Sequence, residues 1–598
     1  MQILKYTMIA ATISFLCACG SDNKPSTPSK PTPPPAAEAL TGTSAIGAPI
    51  LGQLEIIDAS GKKYQLVTTK EGKFEQKALK QIKAPALLKV VGAAAGKSHV
   101  LYSLLLENQK QNGIANVTPL TQLVISRITA KSAADVYTNF EDYKADFTAE
   151  KVNEAQQELK SVLSTLLKAA KVDADFNFLS SKFDANYTEF DSVLDLLDIT
   201  FLADKAIVTY KPDTQLSITL NYNENWGNKT LVDDSKQNEV AQTASFIAKA
   251  DKILESMLIE QDSAKYKTYL HPDAKWYGET TPEGIWQQKE EIVGEETDAI
   301  EHYRDLSLLE VTGDQYLVAF TEHFQKSKFA SGGRARAWFS KNAEGKIKFL
   351  GQKLDLPVNI ALTTKLSIKA NETDKTPTLA IGVNGFPNLN KCKAIPSKYD
   401  NVSWFVPGLK LVDIKDYIST FDTIEITGEG INDKLVIDKI YKEVKDGEIT
   451  GCHLAASQVK QPWGALRSLV IDGYPVSGGI KDNANYTIKY MKNNEAVYVE
   501  TLSIGKTHAE GDVLALPKME KLDRDAGSFS YEWKPSSPLW IDTDIWVSDI
   551  NSPGSQRFAV KKGETKVSSK SLDKIDFINH SMFDNYGRSI SLQYSFAK

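Results

Sequence analysis

The chain has 598 residues, too many for one hydrophobic core, and its length implies about four domains. Hydrophobic residues make up 42% and charged residues 24%, an ordinary globular balance that excludes a fibrous or wholly disordered chain. The net charge of −6 supplies no basic field for phosphates, so nucleic acid is not an expected partner.

The chain starts MQILKYTMIAATISFLCACGSD, with Lys5 ahead of a short apolar run from Thr7 to Leu16. About ten apolar residues cover ~15 Å of helix, roughly half a bilayer, which fits the apolar region of a signal peptide and not a membrane span. The tetrad Leu16-Cys17-Ala18-Cys19 resembles the lipobox of bacterial lipoproteins. That resemblance implies a signal peptide over 1–18 and a lipidated Cys19, held in the membrane by a diacylglyceryl group and an amide-linked chain. Gly20, by the sorting rule of those lipoproteins, implies the outer membrane. Residues 19–38 carry prolines at 25, 28, 31, 33, 34 and 35, an extended tether that cannot bury a core. Once Cys17 leaves with the signal and Cys19 is acylated, Cys392 and Cys452 remain. In an oxidising compartment such a pair reads as one disulfide, two buried thiols being the alternative. A zinc site is disfavoured, because His453 alone lies nearby and structural zinc takes four ligands.

Residues 39–110 hold short β-branched runs between the turn signals Asp58-Ala-Ser-Gly61 and Lys70-Glu-Gly72, the pattern of an antiparallel sandwich. G-x-x-x-x-G-A-P, D-x-x-G-K, T-T-x-x-G-K-F and A-P-x-L-L-K-V together resemble the carboxypeptidase-regulatory-like (transthyretin-like) module at the front of many Gram-negative surface lipoproteins. A helical unit is expected over 111–239, where Val152, Ala155, Leu159, Val162, Leu163, Leu166, Leu167 and Ala170 form one stripe of a helix of about 20 residues. Asp173, Asp175 and Asn177 have calcium-loop spacing, but Phe178 stands where the loop needs glycine, so helix capping with solvated acids is the expectation.

Over 240–358 a helix, an aromatic stretch with His271-Pro-Asp273, and strand-like runs at Leu306–Val311, Tyr316–Phe324, Arg334–Ser340 and Lys346–Leu350 succeed one another. This order resembles the cone-shaped NTF2-like fold, which implies an apolar cavity lined by Tyr269, His271, Trp276 and His323. Enzymes of that fold move a proton with an Asp or His, so Asp273 joins those residues as a candidate, although packing at the cone mouth accounts for them as well. The remainder reads as two β-sandwiches, 359–474 and 475–598, the second resembling an Ig or fibronectin-III module. Its Tyr531, Trp533, Trp540 and Trp546 are the candidates for stacking on a sugar, with burial in the sandwich core the competing account.

No G-x-S-x-G and no H-E-x-x-H occurs, and S-x-x-K at Ser503 and Ser571 lacks a K-T-G partner. Gly96-Lys97-Ser98 ends like a phosphate loop, yet its leading glycine position holds Val91. The fold class expected is therefore multidomain and mainly β with an α+β centre, its modules strung outward from a lipid anchor, without cofactor or metal. Such a chain resembles accessory lipoproteins of pilus or surface-appendage assembly. The expected role is non-catalytic, with the outer membrane and other envelope or appendage proteins as partners. The alternative is a glycan-binding or glycan-processing envelope protein that uses the central cavity or the Trp cluster.

Overall fold

A computed structural model of the chain describes residues 38–276, 278–294, 300–324, 334–354, 358–369, 378–387, 397, 400–401, 411–445, 448–456, 472–475, 480–505, 517–523, 528–534, 540–549, 555–560, 564–570, 575–584 and 588–596. Cys19, the tether and Cys392 lie outside these residues. The described chain is mainly β.

The first module is a four-stranded antiparallel sheet in the order Lys63–Val67, Leu51–Asp58, Ala86–Ala94, Lys97–Leu105. Alternation along Leu51–Asp58 turns Leu54 and Ile56 into the core. The turn after it is built by Asp58, whose Oδ1 accepts from the backbone N–H groups of Ser60 and Lys62 at 2.9 and 3.1 Å. Gly61 then takes a φ of +78°, a left-handed value that favours glycine.

The helical unit opens at Thr118, whose side chain caps Pro119–Thr129 by accepting from the N–H of Thr121. The long helix expected at 152–170 is broken in two, Ala149–Val162 and Ser164–Ala169. The apolar stripe is buried as its spacing predicts, but the Val162 carbonyl accepts from the N–H of Leu231 at 3.0 Å, and Leu163 leaves the helical conformation there. The unit also contains a three-stranded sheet, Leu197–Phe201, Lys205–Tyr210 and Ser217–Asn221, which a purely helical unit would lack. Asn177 is a turn former, its Oδ1 accepting from the N–H groups of Leu179 and Ser180 at 3.0 and 3.1 Å.

In the centre, the helices Phe246–Ile259 and Pro282–Gly294 accompany a five-stranded sheet. Its order is Leu270–Lys275, Ile347–Gly351, Arg334–Lys341, Gln315–Phe324, Ile300–Thr312, with the first pair parallel and the rest antiparallel. Helical unit and central sheet share one continuous core, in which Leu159, Phe190, Phe246 and Phe339 all take part.

The C-terminal strands interleave across the expected boundary at 474/475. Val358–Lys369 pairs antiparallel with Thr378–Pro387 and parallel with Ser589–Ser595 inside one seven-stranded sheet. Its first half puts Val358 and Ile360 into a core with Phe421, Ile426 and Tyr490. Its second half puts Leu366 and Ile368 into another core, with Phe529, Ile578 and Ile590. A contact also joins the first module to the C-terminal strands. The N–H of Ser98 donates to Asn483 Oδ1 at 2.9 Å, and Asn483 Nδ2 returns a bond to the Ser98 carbonyl at 3.1 Å.

Candidate functional site

The central sheet gathers Tyr269, His271, Asp273 and Trp276 at its edge strand Leu270–Lys275 and leaves His323 on a strand three places away. Tyr269 precedes the strand Leu270–Lys275 and packs, half-buried, against the core. Along the strand itself, cover is unequal. His271 is partly covered, while Asp273 is exposed, with 85% of its side chain accessible. His271 Nδ1 accepts from the Asp273 backbone N–H at 3.2 Å and lies 3.7 Å from its carboxylate, a local pair at the surface. Trp276 stands edge-on to Phe349, ring centres 5.1 Å apart. His323 pairs with His302 in the sheet, and its side chain lies outside the described atoms.

Aromatic rings pack between the helix Phe246–Ile259 and the central sheet. Phe246 stacks on Tyr316 at 4.0 Å and meets Phe339 edge-on at 5.9 Å, and Phe339 meets Phe349 at 5.5 Å. Tyr269 and Trp276, both partly buried, pack against this core.

The sugar-stacking reading of Tyr531 and Trp533 is corrected by their burial, at 0% and 1% exposure. They share one strand face, as period-two alternation requires, but that face is the inner one. Tyr531 stacks on Trp533 with ring centres 5.3 Å apart, and its hydroxyl lies 3.1 Å from His580 Nδ1 in a buried contact. The Trp533 indole N–H has no acceptor among the described residues. Trp546 is partly buried opposite Arg557, and Trp540 pairs with Asp584 by its backbone while its side chain lies outside the described atoms. Cys452 sits in the strand Glu448–Ala455 opposite Lys442, and no disulfide is present among the described residues.

A set that sequence reading missed lies where the central sheet meets the strand Glu495–Ile504. Arg336 donates to Glu500 Oε2 and, at 3.1 Å, to the Thr501 carbonyl, and the Tyr490 hydroxyl donates to Glu500 Oε1 at 3.1 Å. Burial pushes the Glu500 carboxyl up, while the Arg336 charge and the Tyr490 bond pull it down. Beside this group is a cleft of about 30 Å³ lined in part by Leu317, Trp338 and Lys353, with the Lys353 ammonium 3.3 Å from the centre of the Trp338 ring. Both carboxylate oxygens are engaged, so the arrangement is suited to clasping two modules and not to proton transfer. Nothing in local spacing ties Arg336 to Glu500, so no sequence signal could have paired them. Among the described residues no group of three or more His, Cys, Asp or Glu side chains could hold a metal ion.

No family model and no curated protein matches this chain. Solved structures give distant likenesses. Bd1075 of Bdellovibrio bacteriovorus is 19% identical over 20% of this chain, with a TM-score of 0.16, and the match spans 42% of that protein's length. The FN1–FN3 domains of chicken CNTN1 are 11% identical over 49% of this chain and 98% of theirs, with a TM-score of 0.15. A segment of two fibronectin type-III domains from chicken tenascin is 12% identical over 40% of this chain and 98% of its own length, with a TM-score of 0.12. Agreement this low carries no assignment of fold or function.

Proposed function

We propose that this chain is a lipid-anchored envelope protein that works by binding, in adhesion or in the assembly of surface structures, with other envelope or appendage proteins as partners. The observation that carries this reading is the combination at its front: a short apolar signal, Leu16-Cys17-Ala18-Cys19, then a Pro-rich tether. Behind that front stand β-rich modules whose candidate catalytic side chains Tyr269, His271 and Asp273 are dispersed between packing and solvent. The central order of helices and strands, with Leu270–Lys275 parallel to Ile347–Gly351, supports reading that module as an NTF2-like cone with a filled interior. The sandwiches supply sheet edges, on which another chain can dock by adding a strand.

The test is a deletion strain complemented by wild type or by Cys19→Ser. Loss of attachment or appendage display at normal growth, restored by wild type and not by Cys19→Ser, is the expected result. Cys19→Ser should leave the membrane fraction and the wild-type N-terminal peptide should carry acyl mass. Unimpaired attachment in the deletion strain, together with substrate turnover by the purified chain, would overturn the binding role; an unacylated Cys19 would overturn the anchor.

A further inference from the structure

Two carboxyl groups are sealed inside the shared core at the place where three modules meet. Asp191 and Asp195 sit one turn apart on the helix Glu189–Asp195, at 0% and 2% exposure. The first module covers them with Gly47, packed so tightly that a Cβ there would fall 2.2 Å from Asp195 Oδ1. The central sheet reaches them through Leu306, whose N–H donates to the Tyr187 hydroxyl at 3.1 Å. Asp191 Oδ2 accepts from the Tyr187 N–H at 2.7 Å, and the Asn186 N–H also favours that carboxylate, but among the described residues Asp191 Oδ1 and Asp195 Oδ2 are buried with no hydrogen-bond partner.

The backbone around this point is held in an unusual shape. Tyr187, Glu189 and Asp305 take φ values of +63°, +47° and +54°, the left-handed region that non-glycine residues rarely adopt. Asp305 lies where the pairing of Ile300–Thr312 with its neighbour slips out of register, between Arg304 and Ser307. Strain of this kind persists only where surrounding contacts over-determine it. Here those contacts come from different modules and converge on the two acids.

We propose that this junction is a proton lock, closed while the Asp191–Asp195 pair holds its proton and loosened when the proton is lost. An ionised carboxylate at these positions would lack both water and sufficient donors, a cost that separation of the modules relieves. The charges facing the pair do little to help. Lys211 is the cation acting on Asp195, and burial also weakens its own charged form. Asp184 adds negative charge towards Asp191, while Asp305, Asp195 and Asp251 surround Tyr187, and Glu255 faces Asp251. Burial pushes Asp195 up to about 7 and Asp191 well above the usual carboxylate range. With the closed state binding the proton more tightly than the open one, the lock is firmest below about pH 4. It weakens as pH rises towards 7 and levels off beyond.

Hydrogen exchange of the full chain, corrected for the intrinsic rate at each pH, tests this directly. The opening equilibrium at the Leu306 amide and across Tyr187–Leu196 should rise at least about fiftyfold between about pH 5 and about pH 7, the change for Asp195 alone moved from 3.8 to about 7, with Asp191 adding to it. Asp195→Asn, which keeps the shape and cannot ionise, should remove the Asp195 share of that change and leave a shallower profile carried by Asp191. Lys211→Met, which removes the opposing cation, should move its midpoint to higher pH. If Asp195→Asn does not fold, the wild-type profile and Lys211→Met still decide. A wild-type profile without pH dependence, or one restored at neutral pH by added calcium, would overturn the proton lock, the latter by showing that a metal ion fills the place of the proton.

Discussion

Replacing Arg336 with Met removes one partner of the Arg336–Glu500 clasp while keeping most of its apolar stem. The two side chains are 15% and 10% exposed, so the carboxylate left behind cannot hydrate without the strand Glu495–Ile504 moving. Breaking a buried pair from one side costs about 3–5 kcal/mol. Glu500 can escape part of that cost by taking a proton, because burial already raises its carboxyl and the charge that lowered it is gone. Arg336→Met should therefore be most destabilising at neutral pH and progressively less so towards about pH 4. Arg336→Met combined with Glu500→Gln, which keeps an acceptor for Tyr490 and carries no charge, should recover most of the loss. Local opening of Glu495–Ile504, followed by hydrogen exchange across that pH range, reads the effect where it arises. A cost below about 1 kcal/mol at neutral pH, in the range of exposed pairs, would refute this account. So would a cost equal at both ends of the pH range.

Gly47→Ala should lower the melting temperature sharply, because its Cβ would meet Asp195 Oδ1 at 2.2 Å and its φ is +99°; an unchanged melting curve would show that the covering loop is free to move. Trp533→Phe should fall within about 1 kcal/mol of wild type in a denaturant titration, since the lost ring area is offset by removal of an indole N–H that has no acceptor among the described residues. Trp533→Ala should cost about 3–5 kcal/mol.

What the sequence disclosed was chiefly periodic. Tyr316, Val318 and Phe320 alternate inward as their spacing predicts, and Val152, Ala155, Leu159 and Val162 form the buried stripe of a helix. The end of that helix was hidden, because a bond from Leu231 sets it and no neighbour in the chain records that. Alternation also placed Tyr531 and Trp533 on one face without saying which face, since a period of two is satisfied equally by an inner and an outer surface. The side chains just after Tyr269 are polar and aromatic in a way that suggests chemistry, yet the strand sends His271 and Asp273 to different degrees of cover. Long-range contacts were illegible altogether: Arg336 with Glu500, Ser98 with Asn483, and Gly47 with Asp195 each join residues whose own surroundings are ordinary.

The parallel pairing of Val358–Lys369 with Ser589–Ser595 has a mechanical consequence. Tension entering through the chain before Val358 and leaving beyond Ser595 would pull the two strands lengthwise past each other. The pairs from Lys365–Ser589 to Lys369–Gln593 would then bear load together, whereas an antiparallel hairpin pulled from its open end peels one pair at a time. Under such tension this sheet is oriented to resist traction by shear, and the strand that carries the load is the one that contributes to both C-terminal cores.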